Sequence, residues 1–291
     1  MLDHPLHDLE SWVQHLSGVE MPILRQTLRR LEEARKQIDR VSGRDIAHIV
    51  LQDPLMAVRV LAYIQPFHGK HLRTDITTIA SAVMMLGIEP FFSKFDNPIT
   101  IEAMLKDEPQ ALLGVLQVIR RAQRASGYAH EWAFARHDIN EEEVTLAALL
   151  HDLSEILLWC FAPQLAIEIR DRQHADKTLR SLVAQEQVLG VRLVDLQLAL
   201  CNSWHLPELL KTLMDDAHAE QPRVQNVTLA VNLARHSASS WEDTALPDDF
   251  EAIEKLLHIN HDTLISRLHL PQNPSPVLPA GEAASVLPPD K

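Results

Sequence analysis

The sequence is poor in the residues that favour sheets, disulfides and tight turns. Its 291 residues include 8 glycines and 2 cysteines, and aromatic residues make up 5% of the chain. Few aromatics, together with abundant Leu, Ala, Glu, Gln and Arg, favour helices over strands. Cys160 and Cys201 lie in apolar sequence. We therefore predict two reduced core thiols and not a disulfide framework.

Other absences exclude whole classes of function. Neither a G-x-G-x-x-G nor a G-x-x-x-x-G-K-[ST] loop occurs, which argues against the two common nucleotide-binding loops. The net charge is −13, whereas general nucleic-acid binding needs lysines and arginines that displace counterions from phosphates. The N-terminus lacks the layout of a signal peptide, and the apolar runs are too short for the roughly 18 residues of a membrane span. The sequence therefore predicts a soluble cytoplasmic protein that does not enter a membrane.

The chain carries many local helix signals. Ser42 to Asp45 resembles a capping box, and Asp53-Pro54 places a cap before a proline at the first helical position. We predict a break at Phe91–Asn97, and a helix that ends at Gly127 before a short aromatic segment at Tyr128–Phe134. The pattern predicts an all-α protein of two packed helical lobes.

The same signals suggest an organisation along the chain. We predict an N-terminal helical extension at 1–18, a main domain at 19–240 with a soft lobe boundary near 97–108, and further helices at 241–270. Residues 271–291 contain six prolines and few large apolar residues. That composition is typical of a disordered tail.

The most apolar stretch of the sequence runs from Leu146 to Trp159, and an adjacent His151-Asp152 pair lies in its middle. Asn140 and the three glutamates that follow it resemble a helix N-terminus. With no internal glycine or proline, the stretch predicts one long buried helix. A buried charge is costly unless it is paired, hydrogen-bonded or bound to a metal. The pair therefore needs partners from elsewhere in the fold.

This stretch resembles the central motif of the HD superfamily of metal-dependent phosphohydrolases. It reads Leu-Leu-His-Asp-Leu-Ser-Glu over 149–155, where the superfamily has Leu-Leu-His-Asp-Ile-Gly-Lys. Other motifs, in the correct order, resemble one branch of it, the HD-related output domain or HDOD. They are Met21-Pro22, Gln52-Asp53-Pro54-Leu55, Ile76 to Gly87, Glu186 to Gly190 and Trp204-His205-Leu206-Pro207. The resemblance spans roughly residues 19–240 and implies a helical HD-like fold.

The departures from the HD pattern bear on the chemistry. The resemblance implies a first histidine ligand about 30 residues before the pair, but Ile119–Ala122 stands there with Arg120 and Arg121 in it. A cation would repel a divalent metal. Asn232 stands at the approximate place of the closing aspartate, and Glu155 replaces the lysine of the motif. We predict that His151 and Asp152 are a structural remnant without metal or cofactor, with Asp152 bonded to helix ends or paired with Arg121.

Three functions remain open from the sequence. The resemblance implies a non-catalytic bacterial signalling or scaffold protein, an output or adaptor domain that acts through protein partners. The first alternative is a divergent HD phosphohydrolase that uses His151, Asp152 and other ligands, for which histidines such as His130, His137, His205 and His218 are conceivable. The second is a nucleotide-sensing regulator in which Arg120, Arg121 or Arg124 grips a phosphate. The simpler interpretation of the same arginines, which we favour, is a solvated helix face.

Overall fold

The computed structural model describes residues 1–71, 75–176 and 178–270. Within these ranges every regular element is a helix, and the extended chain pairs only at an isolated parallel bridge between Ile23 and Thr100. The all-α prediction is confirmed. The predicted Pro-rich tail at 271–291 lies outside the described residues.

The helices follow one another with short connections. They are α1 Leu9–Ser17, α2 Arg25–Arg35, α3 Gly43–Val50, α4 Pro54–His71, α5 Ile79–Leu86, α6 Ile88–Lys94, α7 Ile101–Met104, α8 Pro109–Ala135, α9 Glu141–Leu150, α10 Leu153–Phe161, α11 Pro163–Ala175, α12 Ser181–Leu189, α13 Leu193–Ser203, α14 Glu208–Leu213, α15 Pro222–His236, α16 Leu246–Leu257 and α17 His261–Arg267, with a 3₁₀ helix at Asp216–His218 before α15.

Side-chain caps begin several helices where the sequence placed them. Ser42 and Asp45 form the predicted capping box of α3. Asp53 is fully buried, and its Oδ1 accepts from the backbone N–H groups of Leu55 and Met56 at 3.1 Å, which caps α4. Its Oδ2 accepts from Leu24 N at 2.7 Å. Asp53 therefore also joins α4 to the start of α2.

Two predicted interruptions are wrong. Most of the segment predicted as a break at 91–97 belongs to α6, whose Phe91 and Phe92 are buried in the core. Gly127 does not end a helix, because α8 continues through it to Ala135, and Trp132 in the continuation is 1% exposed. In both places the burial of aromatic side chains outweighs a local break signal.

The helices form two groups around one continuous apolar core. Helices α2 to α6 contact mainly one another, and α8 packs against α9, α10, α11 and α15. Hydrogen bonds join the groups, because Glu142 accepts from Ala80 N at 2.9 Å and Glu143 accepts from Thr77 Oγ1 at 2.6 Å. The acidic first turn of α9 is thus fixed to the start of α5.

The apolar stretch Glu141–Phe161 is longer than the sequence analysis allowed. Among the described residues it is long and apolar enough to cross a bilayer, and 78% of its most apolar window is buried inside the protein. That burial is what the core segment of a helical domain shows. The prediction that the apolar runs are too short for a membrane span is therefore wrong for this stretch.

Candidate functional site

The predicted single long helix is interrupted at the His–Asp pair. Helix α9 ends at Leu150 and α10 begins at Leu153, and Asp152 leaves helical geometry with φ −100° and ψ 25°. Asn140 stands at the N-cap position of α9 as predicted, but its side chain makes no capping hydrogen bond. The interruption turns the side chain of Asp152 toward α8 and α15.

Gln197 on α13 satisfies the backbone groups that the interruption exposes. Its Oε1 accepts from Ser154 N at 2.7 Å, and its Nε2 donates to the carbonyl oxygen of Leu150 at 2.8 Å. The Gln197 residue is 4% exposed. Because unpaired backbone groups are costly in a core, this side chain stabilises the break that positions His151 and Asp152.

Asp152 lies at the centre of a buried charge network. Its Oδ2 accepts from Arg121 Nε at 3.0 Å and Nη2 at 2.7 Å, while its Oδ1 accepts from Arg235 Nη2 at 3.3 Å and lies 3.2 Å from His151 Nδ1. Only 10% of the side chain is exposed. Burial by itself would raise the pKa of Asp152, but Arg121, Arg235 and His151 hold it well below its usual range. Asp152 is therefore ionised and saturated with donors.

Two further carboxylates complete the network. Glu155, in the first turn of α10, accepts from Arg121 Nη2 at 2.6 Å. Asp216, in the 3₁₀ helix, has its Oδ1 3.6 Å from His151 Nε2, which is beyond hydrogen-bonding distance but close enough for charge attraction. We call the following six residues the Asp152 network: Arg121, His151, Asp152, Glu155, Asp216 and Arg235.

His151 is the positive member of the network whose charge depends on pH. Burial by itself would lower the pKa of His151, but the carboxylates of Asp152 and Asp216 reverse this and raise it to about 9. The imidazole is then protonated at neutral pH, and the network contains three positive and three negative groups. A protonated imidazole has no lone pair for a metal ion.

These residues do not fit the metal that the HD superfamily implies. A metal ligand must offer a free lone pair, but both oxygens of the Asp152 carboxylate accept hydrogen bonds from arginines. Within residues 1–71, 75–176 and 178–270, no group of three or more His, Cys, Asp or Glu side chains is arranged to hold a metal ion. Donors and positive charge fill the place where ligands would be needed.

The structure separates the arginines that the sequence grouped together. Arg121 makes the expected pair with Asp152, whereas Arg120, its neighbour on α8, is exposed. Arg124 donates to Ser237 Oγ at 2.7 Å, and its guanidinium lies 5.9 Å from the ring centre of Trp241. Arg124 therefore holds the chain that leaves α15 and is not a member of the network.

The late helix contributes a residue that the sequence analysis missed. Asn232 is half-buried, and none of the described hydrogen bonds or ion pairs connects it to the network. Arg235, one helical turn further along α15, reaches Asp152 in its place. The spacing of three residues from Asn232 was the available signal. Gln197 was also missed, because nothing local in the sequence links α13 to the break between α9 and α10.

The cysteines lie where the composition indicated. Cys160 and Cys201 are free and buried, and burial raises the pKa of both thiols. Neither thiol is activated as a nucleophile.

The helical fold and the His–Asp pair between two core helices define an HD-like domain. The chain belongs to the HDOD domain family, which matches residues 21–220. The resemblance found in the sequence is thereby confirmed. The helices α1, α15, α16 and α17 lie outside the matched range.

Two solved structures with the same fold come from bacteria. The MmoQ response regulator of Methylococcus capsulatus is 15% identical, with a TM-score of 0.65 over 87% of this chain and 98% of that one. A virulence factor of Campylobacter jejuni is 18% identical, with a TM-score of 0.62 over 91% of this chain and 93% of that one. At these identities the likeness shows the fold alone. No curated protein sequence matches the chain.

Proposed function

We propose that this chain is a non-catalytic bacterial signalling or scaffold protein, an output or adaptor domain that acts through contacts with other proteins. The observation that supports the proposal is the saturation of Asp152 by Arg121, Arg235 and His151. A water-activating metal site needs ligand lone pairs together with an open coordination position. The carboxylate of Asp152, at the centre of the network, offers neither.

Two features agree with the setting of this proposal. Free, buried cysteines suit the reducing bacterial cytoplasm, where we propose that the protein acts. One fold neighbour is a response regulator, which agrees with a signalling role. The proposal does not depend on that likeness.

The two alternatives have less support. A phosphohydrolase would have to release Asp152 from two arginines before a metal could bind. A nucleotide sensor that uses the arginines of α8 would have Arg120 alone on an exposed surface, because Arg121 and Arg124 already bond to protein groups. Neither arrangement favours these functions over the signalling proposal.

The catalytic question is tested by metal content and hydrolysis together. Freshly purified full-length protein is measured by elemental analysis, and then assayed with phosphomonoesters and cyclic dinucleotides beside a His151→Ala control. We expect far less than one metal ion per chain and no hydrolysis above buffer for either protein. Near-stoichiometric metal and enzymatic turnover, both lost in His151→Ala, would refute the proposal and establish the phosphohydrolase.

The partner is tested in the bacterium that encodes the chain. A tagged full-length chain carrying a photo-crosslinker at exposed positions is compared with an equally acidic, unrelated helical protein. We expect a discrete crosslinked protein that the control does not yield. Equal patterns for the two proteins, in cells where the chain is expressed, would contradict a role through protein contacts.

A further inference from the structure

The geometry around Arg121 is unusual for a salt bridge. A single nitrogen, Nη2, lies 2.7 Å from an oxygen of Asp152 and 2.6 Å from an oxygen of Glu155, so it bridges two carboxylates. The Arg121 side chain is 17% exposed. A bridging position between two carboxylates is one that metal ions commonly occupy in proteins.

The charge at this position also matches that of a divalent ion. Arg121 and Arg235 bring two positive charges to the carboxylate of Asp152, one to each of its oxygens. A guanidinium group carries its charge permanently under physiological conditions. Two positive charges at one carboxylate equal the formal charge of a bound M²⁺.

We infer that Arg121, assisted by Arg235, is an internal cation that replaces the metal ion of an HD centre. Arg121 on α8 binds Glu155 on α10 and Asp152 at the junction between α9 and α10, and Arg235 on α15 binds the same Asp152. The helical fold of this chain therefore forms without a bound metal ion. This inference concerns the centre alone and stands whether or not a particular protein partner is found.

The inference predicts that a metal site can be recovered by one substitution. Arg121→His removes the cation, frees Asp152 Oδ2 and Glu155 Oε2, and introduces a metal-binding nitrogen on the same helix. Histidine is shorter than arginine, and the space gained suits an ion with metal–nitrogen and metal–oxygen bonds of about 2.0–2.2 Å.

Three variants serve as matched controls. Arg121→Leu removes the cation and adds no ligand, and Arg121→Lys keeps a positive charge without the planar fork. Arg120→His adds a histidine to α8 at an exposed position outside the network. The full-length proteins are melted with EDTA and with Co²⁺, and the visible absorption of bound Co²⁺ is recorded as a readout that does not depend on activity.

We expect Arg121→Leu to melt roughly 5–15 °C below the parent protein, because it leaves buried carboxylates without their cation. Arg121→Lys should lower the melting temperature less. Co²⁺ at about 100 times its Kd should raise the melting temperature of Arg121→His by roughly 5 °C or more and give a cobalt absorption band. The parent protein, Arg121→Leu and Arg120→His should show neither effect.

Several results would overturn the inference. They are a cobalt band with thermal stabilisation in the parent protein, equal stability of Arg121→Leu and the parent, or no cobalt binding by Arg121→His. If Arg121→Leu does not fold while Arg121→Lys does, the requirement for a cation at this position is supported directly.

Discussion

The close packing of α8 on α10 predicts that one substitution, glycine to alanine, has opposite effects on stability at two positions of α8. A Cβ atom added at Gly114 would lie 2.5–2.7 Å from three ring atoms of Trp159, whereas one added at Gly127 would meet nothing within 4 Å. Trp159 is 5% exposed, and Arg170 lies over its ring with 5.9 Å from guanidinium carbon to ring centre. The indole has little room to move away.

We therefore expect Gly114→Ala to destabilise the protein and Gly127→Ala to stabilise it. Overpacking of a core costs about 1–3 kcal/mol, and the higher helix propensity of alanine offsets up to about 1 kcal/mol of that. At Gly127 only the propensity gain of about 0.5–1 kcal/mol applies. The two variants should thus differ in free energy of unfolding by roughly 1–3 kcal/mol.

The assay is denaturant unfolding followed by circular dichroism, with melting temperatures as a second measure. A shift of roughly 2–4 °C per kcal/mol is expected for a chain of this size. Trp159→Phe, which shortens the ring system, should recover part of the loss when combined with Gly114→Ala in a double-mutant cycle. Equal or greater stability of Gly114→Ala than of Gly127→Ala would refute the packing argument.

Three further predictions concern His151, Gln197 and the end of α16 at His258. Because the pKa of His151 is raised, its protonation stabilises the fold fully below pH 6.5, and this stabilisation is lost as pH rises through about 9. In denaturant titrations, the difference in free energy of unfolding between the parent and His151→Gln should shrink by up to about 3 kcal/mol over that pH range. Identical pH profiles for the two proteins would contradict the prediction. Gln197→Leu should lower the free energy of unfolding by about 2–4 kcal/mol, because two buried backbone groups lose their partners. As a control measured by the same assay, Gln187→Leu on the exposed face of α12 should change stability little. His258 ends α16 with φ 53°, so His258→Gly should raise the free energy of unfolding by up to about 1 kcal/mol, and a loss would show that the imidazole has a role of its own.

The sequence by itself determined the features that depend on residues close together in the chain. The capping box at Ser42 and the cap at Asp53 are formed by groups within three residues of one another, so the pattern was sufficient. The all-α class followed from composition and from the period of apolar residues. The family followed from several motifs in one order, although none of them is specific alone.

The tertiary structure decided the features that depend on distant residues. The helix is interrupted at the His–Asp pair because Gln197, 43 and 47 residues from its two backbone partners, satisfies the groups released there. Arg235 is 83 residues from Asp152 and was not identified from the sequence. The family pattern suggested the contact between Arg121 and Asp152. It did not suggest that Arg121 also binds the carboxylate of Glu155.

The physical reason is the range of the interactions. Caps and helical periodicity act over a few residues, and their energies are largely local. A buried charge is stabilised only by the groups that surround it in space, and helix packing sets which groups those are. The sequence showed that Asp152 needed partners and gave Arg121 as one possibility. The packing of α8, α10 and α15 showed that Arg121 and Arg235 both bind it.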